Sequence, residues 1–258
     1  MFPLRDENPH FTTPYATYGL IALNVLAWVL LQGFGTEPAL SSSVCRFGLT
    51  PAELLDLVPA GTSFQVGPDT FCTVAGGGSW GTLLTSMFMH GGWMHLIGNM
   101  WFLWIFGNNV EDAMGHVRFV VFYLLCGLAA AGLQTAFQPD SLIPMVGASG
   151  AIGGVMGAYV LMYPRVNVHF FIVLGFYVNT IAVPAYFMIG YWFLLQVVSG
   201  AMSVGADGGG VAFWAHVGGF VAGALLSFVF RNREMLERHP YYGWTQRSAT
   251  QKWRSVRR

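Results

Sequence analysis

The stretch Gly147-Ala148-Ser149-Gly150-Ala151-Ile152-Gly153-Gly154-Val155-Met156-Gly157-Ala158-Tyr159-Val160-Leu161-Met162-Tyr163, followed by Pro164-Arg165, decides the fold. It is apolar on every side, rich in glycine, and carries one serine near its head. A helix that is hydrophobic all round belongs in a large core or in a bilayer, and composition chooses the bilayer. Hydrophobic residues make up 54% of the chain and charged residues 9%, with a mean hydropathy of +0.53; a soluble domain carries about 25% charged residues. Runs of spanning character recur at 15–34, 92–106, 119–137, 149–163, 184–200 and 211–230. The expectation is an all-α membrane protein, with six transmembrane helices in one bundle over 15–230 and a long first external loop. A cytoplasmic segment, 1–14, precedes the bundle and a basic tail, 231–258, follows it. One more apolar stretch, 168–183, is interrupted by Asn179 and bounded by Pro164 and Pro184, and reads as interfacial or re-entrant rather than as a span.

Positive charge sets the orientation. Arg231, Arg233, Arg238, Arg247, Lys252, Arg254, Arg257 and Arg258 crowd the C-terminal tail, which the positive-inside rule places in the cytoplasm. Six crossings put the N-terminus with Arg5 on the same side, together with Arg118 and Arg165. Of the basic residues only Arg46 falls outside, where Glu37, Glu53, Asp56, Asp69, Asp140 and Asp207 collect. The tail is read as a solvated segment that only fixes topology, with attraction of anionic lipid as the alternative. Residues 1–14 lack a basic segment running into an apolar one, so no cleavable signal peptide is expected and the first span acts as its own insertion signal. The chain is thus expected to be a multi-pass integral protein of the lipid bilayer with both termini cytoplasmic and no nucleic-acid partner.

The first external loop, about residues 35–89, is too long for a mere connection. Its Thr50-Pro51-Ala52-Glu53-Leu54-Leu55-Asp56-Leu57-Val58 predicts a short amphipathic helix at the interface, with Thr50 as N-cap and Pro51 as first helical residue. Gly76-Gly77-Gly78-Ser79 predicts a turn or hinge. Cys45 and Cys72 share the loop, whereas Cys126 lies in the third span. In an oxidising compartment the pair are candidates for a bridge, subject to a geometry that spacing does not set.

Depth brings two reactive groups to one level. Ser149 to Tyr163 and His216 to Phe230 are each 15 residues, about 22 Å of helix in a hydrocarbon layer of roughly 30 Å. Both helices then begin below the outer surface. A helix starting there leaves its first N–H groups unpaired, which is tolerated only where protein covers them or water fills a cavity. A wet pocket is expected, and its free N–H groups at the positive end of a helix suit a developing oxyanion. Gly153 and Gly157 share a face with Ser149, and Gly219 and Gly223 share one with His216. Such small-xxx-small faces let membrane helices approach closely. A packing seam alone accounts for the glycines but not for an ionisable histidine within it.

The second span adds His90-Gly91-Gly92-Trp93-Met94-His95-Leu96-Ile97-Gly98-Asn99. His95 and Asn99 are i and i+4, so they share one side and are able to donate to a carbonyl oxygen turning negative. His90 precedes the helix and is placed to order the loop above. Zinc and haem are the alternatives. His90 and His95 lie five apart without the intervening glutamate of HExxH, and two histidines in one stretch argue little for haem. No metal or cofactor is expected.

In order, His90-x4-His95-x3-Asn99, Gly147-Ala148-Ser149-Gly150 and Ala215-His216-Val217-Gly218-Gly219-Phe220-x2-Gly223 resemble the rhomboid family of intramembrane serine proteases, over roughly residues 80–230. The resemblance is to bacterial members with a six-helix core and implies an inner-membrane location. It implies Ser149 as nucleophile, His216 as general base and then acid, and an oxyanion hole made by His95, Asn99 and the Ser149 N–H. Gly147, Gly150 and Gly219 fall in these motifs as supporting positions, and Gly153, four residues after Ser149, is a further supporting position. His90 and Glu111, the latter in Phe106-Gly107-Asn108-Asn109-Val110-Glu111, match positions of structural role.

Two departures stand out. Gly81 follows Trp80 where the family often has arginine, which puts the anchoring of the first loop in question. Gly153 stands where many members carry an aromatic residue packed on the histidine, so another group must hold the imidazole. No acidic third member is apparent, because Glu111 lies at the cytoplasmic end and Asp207 in the loop before His216. The resemblance further implies transmembrane protein substrates, unwound locally near their outer ends. They would be admitted by movement of the fifth span and of residues 201–210, with the glycines at 208–210 as hinge. The competing class is a catalytically silent rhomboid-like protein that binds membrane clients; such proteins lack the serine or the histidine, and this chain has both. A transporter is disfavoured, since the spans hold no charge pair and the halves do not repeat.

Overall fold

The computed structural model describes residues 2–67, 70–174, 177–203 and 211–244. The chain opens with strand β1 (Phe2–Asp6) and helix α1 (Tyr15–Leu30). A 3-10 turn at Gly33–Gly35 leads into α2 (Ala39–Phe47), α3 (Pro51–Leu54), the hairpin β2 (Ser63–Gly67) and β3 (Thr70–Thr73), and α4 (Thr82–Thr85). Then come α5 (Trp93–Met114), α6 (His116–Phe137), α7 (Ser149–Met162), β4 (Asn167–Leu174), β5 (Tyr177–Pro184), α8 (Ala185–Ser203), α9 (Phe213–Phe230) and α10 (Arg233–Arg238). Among the described residues α6, α8 and α9 are long and apolar enough to cross a bilayer, while α1 and α7 are shorter apolar helices. Helix α5 is 22 residues long, but Asn99, Asn108, Asn109, Glu111 and Asp112 lower its hydropathy. The expected glycine hinge at 208–210, Asp69, Asp207 and the tail from Arg247 onward lie outside the described residues.

Helix α7 is buried at every residue from Gly150 to Tyr159, as its all-round apolar sequence requires. It packs along α9, which packs in turn along α6. Glycine makes the α7–α9 contact. A Cβ on Gly219 would overlap the Gly150 carbonyl, one on Gly223 the Gly154 backbone, and one on Gly157 the Phe220 carbonyl. Backbone therefore meets backbone, and no side chain holds the two helices apart.

Two expectations are corrected. The stretch 168–183, read as interfacial or re-entrant, is built as strands: β4 and β5 pair antiparallel from Asn167 opposite Pro184 to Leu174 opposite Tyr177, and β1 adds to β4 in the order β1-β4-β5. The protein is mostly helical but not all-α. Valine, isoleucine, threonine and aromatic residues crowd this stretch and suit a pleated ladder. The ladder also satisfies the backbone, with Phe2 opposite Phe171 and Asp6 opposite Val168. The helix expected over 50–58 is confined to Pro51–Leu54, and all four of its residues are buried. Glu53 turns inward, where its Oε1 accepts from the Ala75 N–H at 3.1 Å and the Ser79 hydroxyl at 2.8 Å. The chain then leaves the helix at Asp56, which has φ +56°. The four helical residues thus pack into the protein.

The N-terminal strand is tied to the serine-bearing helix. Tyr159 Oη, ten residues beyond Ser149, donates to Asp6 Oδ2 at 2.5 Å. Burial pushes the Asp6 carboxyl up from 3.8 to about 6, against the opposing effect of the Tyr159 hydrogen bond. A carboxyl whose folded value lies above its unfolded one contributes stability while protonated and loses it as pH rises through the folded value. The window here runs from about pH 4 to about pH 6. Asp6→Asn should therefore raise the melting temperature at about pH 7.5 and leave it unchanged near pH 4; an equal effect at both would contradict this account. In the same assay Gly219→Val should cost about 3 kcal/mol by forcing α9 off α7. Gly132→Val, where nothing lies within 4 Å of the added carbon, should change stability by no more than about 0.5 kcal/mol.

Candidate active site

The chain enters α7 through Gly147 at φ +124°, a backbone region that favours glycine. The Gly147 N–H is held by the Ser86 carbonyl at 2.9 Å. No side chain caps α7, so the N–H groups of its first turn, including that of Ser149, have no acceptor within the helix. The head of α9 is pinned from α6: the Ala215 N–H donates to Gln134 Oε1 at 3.1 Å, and Trp214 stacks on Phe137 with centroids 3.9 Å apart. These two fixed helix heads bring His216 Nε2 to 2.7 Å from Ser149 Oγ, within the range of a nucleophile and its base.

Helix α8 holds the imidazole from the far side. Gln196 Oε1 lies 2.8 Å from His216 Nδ1, and the Trp192 ring sits 5.8 Å from the imidazole centroid at 36°. A Cβ on Gly153 would stand 3.1 Å from the His216 carbonyl and 3.6 Å from the Trp192 ring. Position 153 therefore has no room for an aromatic side chain, and the packing on the histidine comes from α8 instead.

Two donors converge beside the serine. His95 Nδ1 accepts from the Gly91 N–H at 3.3 Å, which leaves Nε2 to carry the ring hydrogen. A Cβ on Gly147 would meet His95 Nε2 at 2.7 Å and Asn99 Nδ2 at 3.5 Å. Asn99 is buried, and its Nδ2 has no partner. All four side chains line a hollow of about 790 Å³ whose other walls include Met87, Met145, Ile152 and Met156. Ser149 and His216 are only half-buried, so solvent reaches them.

A family model described as Rhomboid domain matches residues 77–233, the stretch that contains every side chain of this cluster. The chain belongs to the rhomboid family. It is 30% identical over 190 residues to RHOMBOID-like protein 4 of Arabidopsis thaliana, covering 73% of this chain and 42% of that protein. It is 34% identical over 146 residues to Rhomboid-like protease 5 of Toxoplasma gondii, covering 55% and 15%. With Rhomboid protein 1, mitochondrial, of Saccharomyces cerevisiae (strain ATCC 204508 / S288c) it shares 26% over 182 residues, covering 68% and 44%. The chain spans less than half the length of these curated relatives. Family and apolar helices together make it a rhomboid-family membrane protein.

The remaining residues singled out in the sequence of this rhomboid are structural in their surroundings. The backbone of His90 is clasped by the Gln32 side chain, which accepts its N–H at 2.8 Å and donates to its carbonyl at 2.7 Å. The buried His90 ring lies edge-on to His95 with centroids 5.2 Å apart. Glu111 lies far along α5 from the hollow. It accepts from the Ala16 and Thr17 N–H groups at 2.9 and 2.7 Å, from the Thr17 hydroxyl at 2.7 Å, and pairs with His116 at 2.5 Å. It thereby caps α1, whose own N-cap, Pro14, supplies no side-chain acceptor.

A disulfide joins Cys45 to Cys72. With the inward Glu53, it ties down a loop that has Gly81 in place of an arginine. The glycine run turns that loop with Gly76, Gly77 and Gly78 all at positive φ. Paired hydrogen bonds between Leu49 and Met145, at 2.9 and 2.7 Å, fasten it to the segment before Ser149. Sequence reasoning passed over Gln196, Trp192 and Gln134. Their signal was a glutamine within an apolar helix, twice, with a tryptophan one turn before Gln196.

Proposed function

We propose that this protein is an intramembrane serine endopeptidase that cuts transmembrane segments of other membrane proteins near their outer ends. The observation that carries the reading is the 2.7 Å contact of His216 Nε2 with Ser149 Oγ, in a hollow where the buried Asn99 amide has no partner. In this reading α1, α5, α6, α7, α8 and α9 cross the bilayer, both chain ends face the cytoplasm, and the reacting pair lies below the outer surface.

The chemistry follows from the groups in place. His216 Nε2 takes the Ser149 proton, and the alkoxide attacks a peptide carbonyl of the substrate. The developing oxyanion accepts from His95 Nε2–H, Asn99 Nδ2–H and the Ser149 N–H. His216 then hands its proton to the leaving amine, and water releases the acyl group by the same route in reverse. An unpaired buried amide donor costs about 1–3 kcal/mol in the resting protein. That cost is recovered only when an oxyanion forms, which is the differential binding that lowers a barrier. Binding of membrane clients without chemistry would leave both the Ser149–His216 contact and the unpaired Asn99 amide without a use.

In proteoliposomes with a reporter transmembrane substrate, Ser149→Ala and His216→Ala are each expected to lower cleavage by about 10⁴-fold or more. Asn99→Ala should lower it by about 10²-fold, and a chelator should have no effect. Undiminished cleavage by Ser149→Ala, or loss of cleavage on chelation, would contradict the proposal.

A further inference from the structure

Helix α8 sends two side chains to one imidazole. Trp192 and Gln196 are i and i+4 and so share a helix face. Gln196 is buried, and a buried primary amide must have its polar ends satisfied. The two ends differ chemically, and the surroundings sort them. The amide nitrogen can only donate, and its neighbour is the Trp192 carbonyl at 3.3 Å, which can only accept. That contact turns the amide oxygen toward His216 Nδ1, 2.8 Å away. An amide oxygen can only accept, so Nδ1 carries the imidazole hydrogen. Nε2 is left with a free lone pair, and Nε2 is the nitrogen 2.7 Å from Ser149 Oγ. A main-chain carbonyl of α8 thus sets, in three steps, which ring nitrogen is the base.

We infer that Gln196 is a positioning residue that holds His216 in the Nδ1–H tautomer, the form able to accept the Ser149 proton. The inference rests on the protease reading above and adds to it a neutral third member, supplied by a different helix from either reacting residue. A neutral imidazole free of Gln196 would exchange between two tautomers, and the Nε2–H form would donate to Ser149 instead of accepting from it. An aspartate in this place orients the ring and also stabilises the imidazolium by its charge; an amide performs the first task alone. Gln134, the other buried glutamine nearby, does not compete for the ring. Its oxygen takes the Ala215 N–H and its nitrogen donates to Gln138 Oε1 at 2.7 Å. Trp192 complements Gln196 by packing on the ring where Gly153 leaves space.

The test uses the full-length protein in lipid nanodiscs, with ¹⁵N-labelled histidine and a reporter transmembrane substrate. In the wild type, His216, assigned by its loss in His216→Ala, should show a protonated Nδ1 and an unprotonated Nε2. Gln196→Met keeps the length and apolar packing but removes the acceptor. It should give a mixture of tautomers and a kcat lower by about tenfold, the size of one hydrogen bond, with KM within about twofold. Gln196→Glu restores an acceptor oxygen and should return the Nδ1–H form, with a kcat within about threefold of wild type. A wild-type ring protonated on Nε2 would overturn the inference without any variant. So would a kcat in Gln196→Met equal to wild type, or equal losses in Met and Glu with the tautomer unmoved. Wild-type protein that cleaves nothing in a Ser149-dependent way would instead sink the protease reading, and the nitrogen spectrum would still decide the tautomer.

Discussion

The contact between α7 and α9 is made of backbone. Gly150 and Gly154 on one helix face Gly219 and Gly223 on the other so closely that a single added methyl group would collide with main-chain atoms. Hydrophobic sorting between apolar helices is weak in lipid, so close packing of this kind carries much of the association. Its chemical consequence lies one turn from the contact. Ser149 heads the first helix and His216 stands near the head of the second, and only helices this near allow two short side chains to meet at 2.7 Å.

The other parts of the site are placed against that pair by elements distant in sequence. Helix α5 carries His95 and Asn99 on one side, with the buried His90 ring behind His95. Helix α8 closes the far side of the imidazole through Trp192 and Gln196. At the opposite end of the helices, polar side chains do the fastening. Glu111 caps α1, Asp112 takes the Phe11 and Thr12 N–H groups at 3.0 and 2.9 Å, and Asp6 meets Tyr159. The Ser149–His216 hollow and the anchoring contacts thus occupy separate ends of the bundle. The end with the hollow keeps an unpaired donor in Asn99, whereas the Glu111 and Asp112 carboxylates at the anchoring end are paired several times over.

The membrane character, the helices near the predicted runs and the approach of Ser149 to His216 were legible because each follows from a local pattern or a shared depth. Apolar length names α6, α8 and α9, and glycine spacing marks the faces of α7 and α9 that meet. The sheet was not legible, because its partner strand, Phe2–Asp6, lies some 160 residues from β4 and no local pattern links them. An apolar run of that length between prolines reads equally as a membrane segment until the pairing is known. The full burial of the short α3 was not legible for a similar reason. Long-range acceptance from Ala75 and Ser79 draws Glu53 inside, and nothing local to 50–58 signals it. Gln196 was not legible because a neutral amide in an apolar helix gives no charge signal. Its role appears only when α8 is laid beside α9.

The account stands or falls on whether His216 activates Ser149 in the folded protein within a membrane. The most direct measurement is reaction of the membrane-embedded protein with a fluorophosphonate, followed by mass-spectrometric mapping of the modified serine and its rate of formation. The account predicts an adduct on Ser149 that forms at least about 10²-fold more slowly in His216→Ala. An unmodified Ser149 in folded protein, or an adduct forming equally fast without the histidine, would contradict it.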